Sequence, residues 1–444
     1  MAPTLNSAKR SGVPPGTPPP APTSTTTYSP SETIPSKPFG KSPPGDDTVS
    51  TETASSDHIR QRKRAPERSL SVNRSEENMD NTPRERGTPL GDLETPCFIV
   101  EVDALESNYR VVSDTYRDTV CKMRQHTKNI KSPFLAKMQM DIGGSNGGVC
   151  TAKVAEAEIM VEGGITDILI PNQVVTDDKL DRVCALARHG DIKLCVDSVE
   201  NVRAISDVAS RNGVEVGVLI EVDTSMARAG VRSPEQGVEI ARAAVSLPGV
   251  AFRGVMSHQN VGEAFSKEDR YLRGKETIDI CLQVKDAVED AGIPVEIVSS
   301  GETFCYDVAA TIPGVTEVEG GSYALMSTGY GYMTEFQIAG KVLGTVVSTP
   351  RPGVAIGDVG MHSIAAPGGV LPTVDDIPGV EVESLHDDHI VLTGDGSMPL
   401  SVGDKFKLLP AHQDMLVNRW DQYVAIRDGV VEDIWDIPGR GCYH

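Results

Sequence analysis

The stretch GDIKLCVDSVENVRAISDVASRNGVEVGVLIEVDT (190–224) carries two apolar runs, 192–197 and 215–223, on either side of a helical pattern at 199–213. Each run is too short for a helix and is rich in Val, Ile and Leu, as a strand covered on both faces requires. The segment between them ends on Asn212-Gly213, a helix stop. The same alternation continues in both directions. Further strand candidates are 119–126, 148–152, 167–172, 251–258, 295–300 and 317–326. Helical patterns such as AKVAEAEIMVEGG (152–164) and ETIDICLQVKDAVEDAG (276–292) separate them. Eight strand–helix units over about 210 residues predict an α/β fold, a (β/α)8 TIM-type barrel spanning 89–338. A doubly wound open sheet is the competing architecture.

Beyond residue 338 the pattern changes. Runs such as VLGTVVSTPRPG and YVAIRDGVVEDIWDI alternate apolar residues with Gly, Pro and Asp, and Asp395-Gly396 and Asp428-Gly429 are hairpin-turn signals. Residues 339–444 therefore read as a C-terminal all-β domain. At the other end, twelve of the 30 prolines fall within the first 44 residues among Ser, Thr and Gly. Such a stretch cannot bury enough apolar surface to offset its ordering entropy, so 1–88 is expected to be a disordered tail. Its basic run RQRKR (60–64) fits a nuclear signal or a kinase-recognition flank for Ser69 and Ser71, but a solvated charge cluster is the simpler reading.

Composition narrows the partners. The 444 residues carry 42 Lys and Arg against 63 Asp and Glu, a net charge of −21, which disfavours nucleic acid. No run of about 20 apolar residues offers a membrane span, and no apolar stretch follows the first basic residues as in a secretory signal. A cytoplasmic location is expected. The eight cysteines lack CxxC spacing and lie mostly in apolar runs, so buried reduced thiols are expected rather than disulfides or a zinc cluster.

In such a barrel the chemistry gathers where strands end. Strand one ends in RQHTKNIK (124–131), placing Lys128 at the mouth with His126 two residues before it. A lysine buried there can form a Schiff base. Two glycine turns, SSGET (299–303) and EGGSY (319–323), follow strands seven and eight, the usual phosphate-binding corner. A lysine on strand one facing a phosphate cup on strands seven and eight has the layout for pyridoxal phosphate.

Here the sequence resembles the fold-type III pyridoxal-phosphate enzymes, in particular the D-threonine aldolase and D-serine dehydratase-like family. The likeness begins at TPCFIVEVDALESN (95–108) and continues through HTKNIKSP (126–133), CTAKVAEAE (150–158), LIPNQVV (169–175), EVDTSMARAGVR (221–232), GGSYALMSTGYG (320–331) and PAHQDMLVN (410–418). The resemblance implies Lys128 as the Schiff-base residue and Arg228 near the cofactor's phenolic oxygen. It implies Gly301, Thr303, Gly321 and Ser322 at the phosphate, and Tyr323, Asn172 and Gln173 lining the site. His126 and His258 face the substrate side in this picture. Three places depart from the family: Asn129 stands where Thr is usual, Glu319 where Arg or Gln is common, and His362 where the family's DAGxK loop (358–362) carries Lys. A carboxylate at 319 would favour a protonated pyridine nitrogen.

The resemblance also implies a divalent metal, Mn²⁺, Mg²⁺ or Zn²⁺, on His412 and Asp414, two residues apart on an expected extended segment that turns both to one side. Dehydratases of the family carry Cys at the second position and aldolases Asp, a harder ligand. The implied activity is therefore retro-aldol cleavage of a small D-β-hydroxy-α-amino acid to glycine and an aldehyde. The alternative is β-elimination, as in D-serine or D-3-hydroxyaspartate dehydratases, to an oxo acid and ammonia. An amino-acid racemase, with Tyr423 as the available β-domain tyrosine, and a non-catalytic pyridoxal-phosphate carrier rank below. The resemblance further implies a homodimer, and the tail carries no sign of a catalytic role.

Overall fold

The computed structural model describes residues 85–259 and 266–444. The expected 1–88 tail thus lies outside the described residues up to residue 84. Its last four residues are ordered: the Gly87 N–H donates to the Val431 carbonyl and Thr88 accepts from the Val431 N–H, pinning them to the final hairpin.

Strand β1 (Cys97–Glu101) and helix α1 (Val102–Tyr116) precede a closed parallel barrel. Its strands are β2 (Lys122–His126), β3 (Ser145–Cys150), β4 (Asp167–Ile170), β5 (Asp191–Val196), β6 (Val216–Glu221), β7 (Val250–Ser257), β8 (Ile297–Ser300) and β9 (Glu317–Val318). The outer helices are α2 (Pro133–Ile142), α3 (Val154–Glu162), α4 (Asp177–Ala187), α5 (Val199–Asn212), α6 (Pro234–Ser246), α7 (Lys267–Asp290) and the short α8 (Tyr306–Ala309). Local chemistry sets their ends. Ser198, Ser233 and Ser266 cap α5, α6 and α7 by accepting an N–H three residues on. Gly213 takes the left-handed conformation (φ 65°) that closes α5.

Inward-facing residues alternate along the strands, as a barrel interior demands. Leu169, Cys195, Leu219 and Met256 form one buried layer. Beneath it lies a charged layer. Arg124 on β2, 2% exposed, donates two hydrogen bonds to Glu317 on β9 (2.8 and 2.9 Å) and two to Asp167 on β4 (2.7 and 3.5 Å). Lys193 on β5 reaches the same Asp167 at 2.8 Å. Burial alone would lower the Arg124 pKa, but the Glu317 and Asp167 carboxylates outweigh it and hold the guanidinium charged. These side chains matter because β9, expected to run over 317–326, has only two residues. Its backbone ladder is short: two register pairs with β2 and one with β8.

The C-terminal sheet comprises β10 (Gly340–Arg351), β11 (Val354–Gly357), β12 (Thr373–Asp375), β13 (Val380–Leu385), β14 (Ile390–Gly394), β15 (Lys405–Leu409), β16 (Gln422–Arg427) and β17 (Val430–Asp436). It also includes β1, which the sequence analysis placed within the barrel segment 89–338. β1 lies between β10, antiparallel, and β16, parallel. Period-two alternation explains its double burial: Cys97 and Ile99 join a cluster with Leu343, Val424 and Val431, while Phe98 and Val100 enter the main core. Phe98 packs its ring 5.0 Å from that of Tyr423. Asn108 on α1 donates to the carbonyls of Ala324 and Gln337 and accepts the Gln337 N–H, tying α1 to the segment that leaves the barrel after β9.

Asp428-Gly429, both with positive φ, does turn the β16–β17 hairpin. Asp395-Gly396 does not form one, because β14 pairs with β11 and β13 while the chain continues to β15, which pairs with β10 and β12. The eight cysteines are free, seven of them buried, as expected.

Removing the guanidinium with Arg124→Met leaves Glu317 buried without its charge partner. The variant is expected to lose about 3–5 kcal/mol in urea or guanidinium unfolding. Arg124→Met combined with Glu317→Leu is expected to recover much of that loss, since the orphaned charge is then gone.

Candidate active site

Strand β2 delivers Lys128 on a single 3-10 turn, Thr127–Asn129. The turn is held from several sides. The Thr127 hydroxyl donates to the Cys150 carbonyl (3.1 Å), and the His126 N–H donates to the Gly320 carbonyl (2.8 Å). His126 Nδ1 accepts the Lys128 N–H at 3.4 Å. Asn129, where the family usually has Thr, donates from its amide to Ser322 Oγ (3.2 Å) and to Asp414 Oδ1. The residue that departs from the pattern thus ties the lysine turn to both the glycine turn and the C-terminal domain.

The Lys128 amine opens on two adjoining cavities, of about 550 and 190 Å³. The larger is walled by Glu302, Phe304, Gly321, Ser322, Tyr330 and Tyr332 from the barrel and by His412 and Asp414 from the β-domain. The smaller is walled by Ala152, Lys153, Asn172 and Arg228. His126, His258 and Glu319 line both. Lys128 Nζ lies 3.6 Å from Asp414 Oδ2.

Most of the residues singled out from sequence therefore converge, and four do not line either cavity as expected. Tyr323 is fully buried, its ring in the core beside Tyr109 (6.1 Å). Gln173 faces away, donating to the Glu221 carboxylate at 2.6 Å. Thr303 turns its hydroxyl to accept the N–H groups of Gly321 and Tyr323, bracing one glycine turn against the other. Gly301 is likewise packed behind the wall: with φ 122°, a Cβ there would press on Val318 and Ala309. Of the expected phosphate cup, Gly321 and Ser322 face the cavity. His412 and Asp414 also differ from expectation. His412 is extended (φ −154°), but Asp414 sits in the first turn of a short helix, α9 (Gln413–Val417). Both side chains still reach the cavity wall. Tyr423, considered as a racemase base, is fully buried with its hydroxyl donating to the Ile130 carbonyl at 2.6 Å. It cannot exchange protons with the site.

Sequence reading missed Glu302, Tyr330 and Tyr332. The signal was present: an acid inside the glycine turn SSGET, and two tyrosines in TGYGY (328–332).

The electrostatics are uneven. Burial, together with the charges of Lys128, His258 and Lys131, holds the His126 imidazole well below its ordinary range. Burial, Lys128 and Arg228 push His258 down to about 3. Both rings are therefore neutral at pH 7. The carboxyls move the other way. Burial, with a smaller push from Asp414, raises Glu302 to about 8 against the pull of Lys128. Burial raises Glu319 to about 7, even though Cys150 and Ser299 donate hydrogen bonds to its two oxygens (2.9 and 2.8 Å).

The lining set suits an anionic aldehyde cofactor: a primary amine at the floor, two cations (Lys153 and Arg228) beside it, and a wall of small residues at 321–322. It also suits an exchangeable divalent ion. His412 and Asp414 supply one nitrogen and one carboxylate; among the described residues no group of three or more His, Cys, Asp or Glu could enclose a metal. An open site with water and substrate in the remaining positions is what such a pair can build.

The described residues fit known models and structures closely. Residues 100–328 match the alanine racemase N-terminal domain, and residues 339–426 match a serine dehydratase domain. The chain is 35% identical to a 3-hydroxy-D-aspartate aldolase of Paracoccus denitrificans, covering 80% of this chain and 94% of that protein. It is 27% identical to a D-threo-3-hydroxyaspartate dehydratase of a Delftia species, over 77% and 96% of the two chains. The crystal structure of a D-threonine aldolase from Filomicrobium marinum superposes with a TM-score of 0.78 at 31% identity, covering 82% of this chain and all of that one.

The raised carboxyls imply a sign for pH dependence. A group whose folded pKa lies above its unfolded value contributes stability at low pH that fades as pH climbs to the folded value. For Glu302 that window runs from about 4.5 to about 8. Thermal unfolding should therefore show the wild type losing stability across this range. Glu302→Gln should flatten the slope measurably; an unchanged slope would mean the carboxyl is ionised in the fold.

Proposed function

The chain belongs to the alanine racemase N-terminal-domain family of fold-type III pyridoxal-phosphate enzymes, and from that premise we propose that it is a lyase cleaving D-β-hydroxy-α-amino acids to glycine and an aldehyde. The observation that carries the aldolase reading is Asp414. A carboxylate, not a thiol, stands beside His412 and 3.6 Å from the Lys128 amine.

Lys128 would hold pyridoxal phosphate through its amine, with Arg228, Lys153, Gly321 and Ser322 available to its anionic substituents and Glu319 assigned to its ring nitrogen. When bound, that cofactor withdraws electrons from the bonds at the substrate's Cα. His412 and Asp414 would hold a divalent metal, which supplies Lewis-acid polarisation of a hydroxyl.

The protein's own groups divide the proton work. His126 Nδ1 is occupied as an acceptor and its ring also hydrogen-bonds the Cys150 backbone, so the imidazole is held as a fixed, neutral part of the wall. His258, neutral and facing both cavities, is the base assigned to the β-hydroxyl proton. Asn129 keeps Asp414 and the lysine turn in register through its amide. The β-domain supplies part of the wall, which weighs against a carrier built from the barrel alone.

The test is direct. Purified protein is incubated with pyridoxal phosphate and Mn²⁺ or Zn²⁺, with D-threonine and D-serine in parallel, and glycine, 2-oxobutanoate and pyruvate are quantified. Metal-dependent glycine from D-threonine is expected, with Lys128→Ala inactive and Asp414→Asn reduced by about 10–100-fold or more. Oxo acids with ammonia would assign the dehydratase reaction instead. Glu319→Gln should shift the absorbance band of the bound cofactor; an unchanged band removes that assignment.

A further inference from the structure

Three residues beyond Lys128 the chain is gripped a second time, at Lys131. This residue is 4% exposed and takes a left-handed backbone, φ 49°, which a side chain with a Cβ adopts at a cost. Such a conformation persists only where the surroundings over-determine it. Here they do. The Lys131 N–H donates to the Thr127 carbonyl (2.6 Å), closing the turn that carries Lys128. The Lys131 carbonyl accepts the Gly439 N–H (2.9 Å), and the Tyr423 hydroxyl holds the carbonyl just before it, that of Ile130. Gly439 comes so near that a Cβ there would lie 3.0 Å from the Lys131 carbonyl oxygen. The Lys131 amine donates to Glu156 on α3, a buried carboxylate. The other Glu156 oxygen accepts the Ala152 N–H (2.7 Å), and Asn172 donates to the Ala152 carbonyl (2.8 Å). Ala152, Lys153 and Asn172 wall the smaller cavity. One buried ion pair therefore links the turn that carries Lys128 to the loop that walls the cavity.

Neither Lys131 nor Glu156 lines a cavity, so the pair does not meet a bound molecule itself. Stability alone does not call for it, because an apolar pair of similar volume commonly serves as well as a desolvated ion pair. What two opposed charges add is a fixed distance and direction between the segments that carry them. We propose that Lys131 and Glu156 are positioning residues, holding the Lys128 amine and the wall of the smaller cavity in one register so that the cofactor's aldehyde meets an amine already aimed. The proposal rests on the reading that Lys128 holds pyridoxal phosphate. It extends the machinery to a pair outside the site and to the C-terminal segment that covers it, through Gly439 on Lys131 and through the His444 carbonyl, which accepts the Ala155 N–H in the first turn of α3 (3.0 Å).

Three variants of the full chain test this: Lys131→Met, Lys131→Met combined with Glu156→Gln, and Gly439→Ala. Each is unfolded in denaturant and titrated with pyridoxal phosphate, read from the absorbance band of the bound cofactor. Lys131→Met strands a buried carboxylate and should lose stability. The double variant removes both charges and keeps an acceptor for the Ala152 N–H, so its stability should return toward wild type. Its hold on the cofactor should not return: an affinity about 10–100-fold weaker is expected, with a shifted band, the scale for losing a contact that orients a site. Gly439→Ala leaves both charges in place and presses on the Lys131 backbone, so it should weaken the hold in the same direction. Recovery of both stability and cofactor affinity in the double variant marks a merely structural pair and overturns the proposal. Should the double variant not fold, unchanged affinity in Gly439→Ala overturns it instead. Borohydride reduction and peptide mapping separate this from the premise. Label on Lys128 upholds the cofactor reading; label on another lysine in the wild type overturns that reading and the proposal with it.

Discussion

A single buried arginine closes the barrel. The seam between β2 and β9 has few backbone hydrogen bonds, because β9 ends after Val318 to let the chain swing into the Glu319–Ser322 turn. Arg124 spans that gap with a bidentate grip on Glu317 and further bonds to Asp167. A fully desolvated guanidinium would be costly alone; here its charge is met on two sides. The layer sits at the end of the barrel opposite the chemistry. Four residues further on, in the turn that β2 leads into, comes Lys128, so the strand fixed by the ion pair is the one that aims the amine.

From this follows an economy in the site. Both glycine turns are placed by strands next to the seam, and Thr303 binds one to the other. The C-terminal domain then completes the wall through α9. Asn129 is the joint, with one amide shared between Ser322 and Asp414. Acids, imidazoles and a lysine lie within one enclosure, and burial sets the protonation of Glu302, Glu319, His126 and His258 more than pairing does. Such an arrangement keeps bases unprotonated and acids protonated near neutral pH, which is what proton transfer requires.

Much of this was legible in the sequence. The barrel showed itself in the repeated strand–helix rhythm, because buried parallel strands read as unbroken apolar runs. Lys128, His126, Glu319, Ser322, His412 and Asp414 were found through the ends of those runs and through family likeness, and they share one cavity. What failed was local direction. Tyr323 follows a glycine pair that suggests a site, yet whether a side chain turns to the cavity or the core depends on a φ/ψ pair that no motif states. Thr303 looked like a phosphate donor because the pattern could not show that its hydroxyl was already committed to two N–H groups. Asp414 was expected on an extended segment, and a five-residue helix carried it to the same wall by another route. Strand pairing was also invisible: CFIVE alternates correctly, but nothing in five residues names partners more than two hundred positions away.

That last feature has a bearing on how the molecule comes into being. Strand β1 leaves the ribosome before the barrel, while both strands that sandwich it, β10 and β16, are made after the barrel. Through most of synthesis Phe98, Ile99 and Val100 must wait with their backbone unpaired, an apolar edge of the kind that chaperones shield. The barrel is then bracketed by a single sheet whose middle comes from one flank and whose neighbours come from the other. Neither half is a separable module in the genetic sense. Shuffling the barrel onto a new partner would strip the sheet of its centre, so the two folds are bound to be inherited together.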